Sequence, residues 1–204
     1  MKQAPRIQAK NLYVTLNFFA PETVTPIPGT LATFATAGVF SVIAPPAIGT
    51  YWDGEGGIYA GLMRGEDGQL DYHLVVARDE DGAASDAVWG SYGKDESGAK
   101  HARDGLLNTA SLAGSDNDHP AADWAANLDV KGHTDWYLPA RFELALCYAS
   151  VPELFDEAWY LSSTQYSPYG AWIQYFVDGT QGYVRKVTAR RARAVRRVVS
   201  TSTL

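Results

Sequence analysis

The chain of 204 residues has only one cysteine, Cys147. This excludes an internal disulfide and any zinc site built on cysteine ligands. With Leu144, Leu146 and Tyr148 around it, Cys147 reads as a core residue of a helix, not a nucleophile. Histidine is sparse as well, with His73, His101, His119 and His133 making up the whole set. No HExxH, GxSxG or phosphate-cradling glycine loop occurs. Long apolar runs are missing too. The stretch LATFATAGVFSVIAPPAIG (31–49) is broken by Thr, Ser and a Pro pair, so no membrane helix is expected. Residues 1–20 show no clear export-signal cleavage site. The chain has no excess of positive charge: its net charge of −6 argues against nucleic acid as the main partner. There is no internal repeat.

Aromatic and turn-forming residues are abundant. Six Trp, twelve Tyr, nineteen Gly and ten Pro point to a loop-rich architecture rather than a helical bundle, and an apolar fraction of 46% is ample for a core. Residues 1–45 carry almost no charge after Lys10, and read as extended pieces punctuated by proline. Such a segment can hardly bury its apolar residues alone, and is expected to anchor or oligomerise the chain, as a homotrimer. From 46 onward, GGIYAGLM and LDYHLVVA flank an Asp67–Gly68 pair and predict a hairpin. Residues 79–118 then read as a long irregular stretch, and ADWAANL (122–128) as a short helix. Beyond 131, Pro139 is expected in the first turn of a helix over RFELALCYA. WYLSST predicts a strand, AWIQYFV and GYVRKV a hairpin about Asp178–Gly179, and ARAVRRVV a closing strand. The result is one α+β domain over 46–204, with small antiparallel sheets, short helices and long irregular loops.

Between Arg185 and Arg197 lie seven of the seventeen basic residues. The alternation of Ala192, Ala194 and Val198 suggests a strand with one buried side, whose arginines pair with acids from the middle of the chain. In GHTDWYLPARFELALC (132–147), Asp135 suits a tight turn, accepting backbone N–H groups. Trp136 and Leu138 suit the core. Glu143 or Arg141 is expected to pair with the terminal arginines, Arg196 among them. Asp135, Trp136, Pro139, Arg141, Glu143 and Arg196 are therefore read as structural.

GHTDWYLPARFEL, LSSTQ, AWIQYFVDG and the closing AVRRV together resemble the bacterial and phage domain family typified by the Lcl C-terminal domain, over about residues 102–199. Two positions depart from that pattern. Leu161 stands where the family has Trp before Ser-Ser-Thr, and Tyr137 where it has Arg after Asp-Trp. The resemblance implies a C-type lectin-like fold, shared with phage tropism proteins and formylglycine-generating enzymes. The chemistry of those enzymes depends on a cysteine pair, which a chain with one cysteine lacks. C-type lectins often bind sugar through calcium, and Asp116, Asn117 and Asp118 in GSDNDHP offer hard oxygen ligands. The Glu-Pro-Asn and Trp-Asn-Asp signatures of that chemistry are absent, so a solvated turn and no metal or cofactor are expected.

The candidate ligand-binding residues are Tyr166, Ser167, Tyr169, Gln174, Tyr175, Gln181 and Tyr183. Tyr and Ser on rigid loops make adaptable contacts. Tyr166, Ser167 and Tyr169 are expected to be exposed beside Pro168 and Gly170, with Trp172 in the core. The expected role, implied by the resemblance, is a non-enzymatic phage virion protein: a tail or receptor-binding module. It would be made in the host cytoplasm and would recognise a host-surface protein or glycan, with other virion proteins as partners through residues 1–45. The alternative is a structural decoration or assembly protein of the capsid or tail.

Overall fold

The computed structural model describes residues 44–66, 68–78 and 80–199. The expectations for residues 1–43, and for Asp67 in the first hairpin turn, lie outside the described residues. The chain from 44 onward is a mixed α+β structure with two sheets and three short helices. The first sheet is antiparallel, with strand order β1-β2-β3-β9, from Tyr51–Trp52, Gly57–Met63, Tyr72–Val76 and Val195–Val199. The second is mixed, in the order β4-β8-β5-β6-β7, from Ala83–Ala87, Arg190–Arg193, Trp159–Ser167, Gly170–Tyr175 and Gln181–Arg185. Within it β5 and β8 run parallel. The helices are α1 (Gly105–Ala113), α2 (Pro120–Ala126) and α3 (Arg141–Ser150).

Both predicted hairpins form, and Gly68 and Gly179 take positive φ at their turns. The stretch expected to be irregular contains β4 and α1, whose N-terminus is capped by the Asp104 carboxylate accepting from Leu107 N–H. Its Gly and Asp content concealed both. Pro139 lies one residue before the helix cap and not in the first turn: Ala140 is the cap, and Pro139 offers its carbonyl to Ser163 N–H at 2.8 Å.

The closing run differs from expectation in an instructive way. ARAVRRVV is not one strand but two, β8 and β9, in different sheets. At the junction, Ala194 is fully buried; its N–H donates to Gly82 O and its carbonyl accepts from Ala77 N–H. Alternation of burial breaks there, with Ala194, Val195 and Arg196 buried in succession.

Three apolar clusters fill the interior. Leu74, Val76, Leu144, Cys147 and Val151 join the first sheet to α3. Trp89, Leu112, Leu138, Leu161 and Ile173 join α1 and α2 to the second sheet. Trp52, Tyr59, Val75 and Trp136 cover the other face of the first sheet. Trp136 and Leu138 thus lie in the core as expected. The LSSTQ motif is buried and serves as a polar lock. Ser162 O accepts from the Trp89 indole at 3.0 Å, Ser163 Oγ accepts from Asn108, and Thr164 Oγ1 donates to His101 O.

The terminal arginines do pair with acids from earlier in the chain, but not with the acids expected. Asp135, not Glu143 or Arg141, receives Arg196 as a two-pronged pair at 2.8 and 2.9 Å, and Glu55 takes the remaining arm. Arg197 pairs with Asp104, and Arg191 with Asp156. Glu143 is fully buried and accepts four hydrogen bonds. Tyr72 and Tyr137 hydroxyls donate at 2.7 and 2.8 Å, and Gly105 and Ala140 N–H groups at 3.1 and 2.7 Å. The two backbone donors fix the start of α1 and the cap of α3 to one carboxyl.

Burial pushes the Glu143 carboxyl up to about 7, against the pull of its donors and of Arg197. A proton can be accommodated there. The Tyr72 hydroxyl can turn its own hydrogen to Arg103 O, 2.8 Å away, and accept from the acid. The folded state therefore holds this proton over the interval from the ordinary value of 4.5 up to about 7. That contribution is full below the lower value and is lost as pH rises through the upper one. Glu143→Gln, which keeps the shape and needs no proton, is expected to remove the loss. Between pH 5 and 8 the wild type should lose ~1–3 kcal/mol relative to this variant in urea unfolding. Parallel pH curves for the two proteins would refute the assignment.

Candidate ligand-binding surface

The surface is built on β5, β6 and β7. A two-residue turn, Pro168–Tyr169, joins β5 to β6, and Ser167 Oγ accepts from Tyr169 N–H at 3.2 Å, which fixes the turn. Cross-strand pairing of Trp172 with Tyr183 and of Gln174 with Gln181 puts all four on one face. On that face the Tyr166 and Tyr183 rings stack at 4.2 Å and 6°. Trp172 meets Tyr166 edge-on at 5.1 Å, and the Arg141 guanidinium covers the indole at 3.9 Å. Trp172 is therefore half-buried in an aromatic face and not enclosed in the core as expected.

Tyr166, Tyr169 and Tyr183 are exposed, at 46%, 56% and 62%, as ligand contacts require. The remaining candidates divide. Gln174 is buried, and its amide donates to Gly179 O at 2.7 Å, closing the Asp178–Gly179 turn. It is a turn-holding residue and not a surface contact. Tyr175 is half-buried on the opposite face, stacked on Trp159 at 4.7 Å, so it is not part of the tyrosine cluster. Gln181 is half-buried and donates to Arg141 O at 2.8 Å, tying β7 to the start of α3.

Sequence reasoning missed Tyr92. It is half exposed and leans on Tyr169 at 5.1 Å, from a loop bounded by Gly90 and Gly93, both at positive φ. A Cβ at Gly90 would meet the His119 ring at 2.2 Å, so a side chain there is excluded. The GSYG pattern was the available signal. Tyr92, Ser167, Tyr169, Tyr183, Arg185 and Arg190 line an open cleft of about 490 Å³.

The loop carrying Tyr92 is held from below by buried polar groups. Lys186 is fully buried. Its ammonium donates to Lys94 O and to Gln165 Oε1, each at 2.6 Å, and lies 4.3 Å from the Trp89 ring. Glu96 N–H also donates to Gln165 Oε1, and the Gln165 amide donates to Asp95. Three consecutive residues, 94–96, thus wrap one lysine and one glutamine. Burial pulls the Lys186 ammonium down to about 8, while the Glu96 and Asp95 carboxylates pull it back, so it carries its charge at neutral pH. Burial alone would raise the Glu96 carboxyl. Donors from His119, Asn117 and Ser115 outweigh that and hold it below its ordinary range.

This pairing also bears on the calcium expectation. The Asn117 amide is committed to Glu96 at 2.8 Å, while Asp116 and Asp118 point into solvent. Among the described residues no group of three or more His, Cys, Asp or Glu side chains is placed to hold a metal ion. No helix among them is long and apolar enough to cross a membrane.

No known family model matches the chain, and no curated protein matches it. Among solved structures, a fimbrial protein from Bacteroides ovatus is similar over 60% of this chain and 35% of that one, at 14% identity and a TM-score of 0.41. The similar region spans about a third of the fimbrial protein's length. A likeness this slight carries no argument about fold or function.

Replacing Lys186 with Met keeps the aliphatic stem but removes the donor to Lys94 O. A cost of ~1–3 kcal/mol is expected in urea unfolding, together with faster amide exchange in residues 91–97. Unchanged exchange in that segment would show that the lysine does not hold the loop.

Proposed function

We propose that residues 46–204 form a non-enzymatic binding module with a C-type lectin-like fold, of the kind implied by the resemblance to the Lcl C-terminal domain family. In this reading the module belongs to a phage particle, in the tail or a receptor-binding fibre, and recognises a host-surface protein or glycan. Residues 1–45 join it to other virion chains and to two further copies of itself, so that weak contacts are multiplied.

The observation that carries the reading is the gathering of Tyr92, Tyr169 and Tyr183 around one open cleft, with Tyr166 stacked on Tyr183, on a rigid hairpin and a clamped loop. Exposed tyrosines contribute contact area at small entropic cost, because the ring has few torsions to fix. Here even those torsions are limited by stacking, which preorganises the surface. The mixed α+β architecture, with the Ser-Ser-Thr motif and Trp136 buried, accords with this proposal.

The test is binding of the full chain to an array of bacterial surface polysaccharides and outer-membrane proteins. Tyr169→Ala and Tyr183→Ala are each expected to weaken the strongest signal about tenfold, equivalent to ~1.4 kcal/mol, with unfolding midpoints unchanged. Signals that survive both substitutions would sink the proposal. Light scattering of the full chain is expected to give the mass of a trimer, and a monomer would remove the oligomerisation role assigned to residues 1–45.

A further inference from the structure

Among the described residues no strand pairs with the outer edge of β7, and the ladder on its other side determines which groups it presents. Lys186 N–H donates to Tyr169 O, and Tyr175 N–H donates to Thr180 O. In an antiparallel pair these bonds alternate between successive residues. Lys186, Val184, Gly182 and Thr180 therefore turn their backbone groups toward β6. Gln181, Tyr183 and Arg185 turn theirs away from it. Arg185 O is taken by Thr188 N–H, which leaves both backbone groups of Gln181 and Tyr183 and the N–H of Arg185 facing outward.

The other described strand edges are blunted. β1 has two residues, and β4 carries a register shift together with Asp86. Val195, in β9, exchanges both its backbone bonds with Tyr137. β7 pairs with β6 over five residues without a shift and carries neither Pro nor an acidic side chain. Sheet edges of this kind are templates for another strand.

Charge indicates what that strand would carry. Arg103, Arg191, Arg196 and Arg197 each meet a carboxylate. Arg185 and Arg190, which line the cleft beside β7, meet none within 4 Å among the described residues. In a chain with a net charge of −6, two uncompensated guanidinium groups flanking a free edge favour an acidic occupant.

We propose that β7 receives an extended acidic polypeptide segment of the partner as a sixth strand of the second sheet. The segment's main chain would pair with Gln181, Tyr183 and Arg185. Its acidic side chains would meet Arg185 and Arg190, and side chains two residues along, on the same face, would lie on the Tyr166–Tyr183 stack. Main-chain pairing supplies affinity, and the cleft supplies selectivity. The proposal rests on the reading of the tyrosine cleft as a binding surface, and narrows its ligand to polypeptide.

The test is selection of a random dodecapeptide library on the immobilised full chain, with oligogalacturonate as an acidic but non-peptide probe. Selected peptides are expected to carry Asp or Glu two residues from an aromatic or β-branched residue. Arg185→Glu should weaken them at least tenfold. Tyr183→Pro removes the outward N–H without breaking the β6 ladder, and should abolish binding at an unchanged unfolding midpoint. In wild type, the Tyr183 amide should become protected from exchange on binding, a readout that does not depend on the proline variant folding. Selected peptides without acidic residues, or absence of amide protection, would overturn the proposal. Tyrosine-dependent binding of oligogalacturonate with the Tyr183 amide still exchanging would do the same, while leaving the cleft as a glycan-binding surface. If neither probe binds and the array gives no tyrosine-dependent signal, both readings fall.

Discussion

The buried carboxyl of Glu143 is the constraint on which the arrangement of the domain depends. One side chain takes hydrogen bonds from β3 through Tyr72, from the start of α1 through Gly105, from the Asp-Trp loop through Tyr137, and from the cap of α3 through Ala140. Tyr72, Gly105 and the 137–143 stretch are far apart in sequence and meet at two oxygen atoms. Leaving any of the donors unsatisfied in the interior would cost more than a typical exposed contact is worth. The acid thus fixes where both helices begin, and through α3 it fixes how the first sheet is covered. A Cβ at Gly105 would lie 2.3 Å from this carboxylate, so the close approach of α1 depends on glycine.

A second constraint lies at the other end of the chain. Ala194 carries the last run of residues from the second sheet into the first, bonded to Gly82 on one side and Ala77 on the other. A larger residue has no room at a fully buried crossing. Because β8 and β9 belong to different sheets, the arginines on these strands reach acids from four separate regions, at Glu55, Asp104, Asp135 and Asp156. Those ion pairs therefore tie the closing segment to the whole domain and not to one helix. The tyrosine surface inherits this rigidity. It sits on the hairpin next to β5, and its loop wall is clamped by Lys186 and Gln165 from within the same sheet. A surface supported in this way needs little reordering when a partner arrives.

Several parts of this arrangement were legible in the sequence. The two hairpins followed from Asp-Gly pairs between aromatic and β-branched runs, and α3 from its apolar spacing. The exposure of Tyr166 and Tyr169 followed from their placement beside Pro168 and Gly170, whereas Ser167 is half-buried. Other parts were hidden for identifiable reasons. β4, with sequence AASDA, has no apolar alternation, because its neighbours cover it only in part. Gln174 and Tyr175 both looked like surface residues, yet one closes a turn and the other stacks on Trp159. Strand periodicity separates two faces but does not say which face meets solvent when both are partly covered.

The sequence by itself determined the local grammar: where the chain turns, which segments alternate, and that no internal disulfide can form. Backbone sterics and side-chain periodicity act over a few residues, so that information is written locally. The tertiary structure alone decided which acid meets which arginine, that one continuous run serves two sheets, and that Tyr92 joins tyrosines more than seventy residues away. Those outcomes depend on contacts between segments distant in sequence. They are selected by burying apolar area while leaving as few polar groups as possible unpaired, a condition that only the assembled domain imposes.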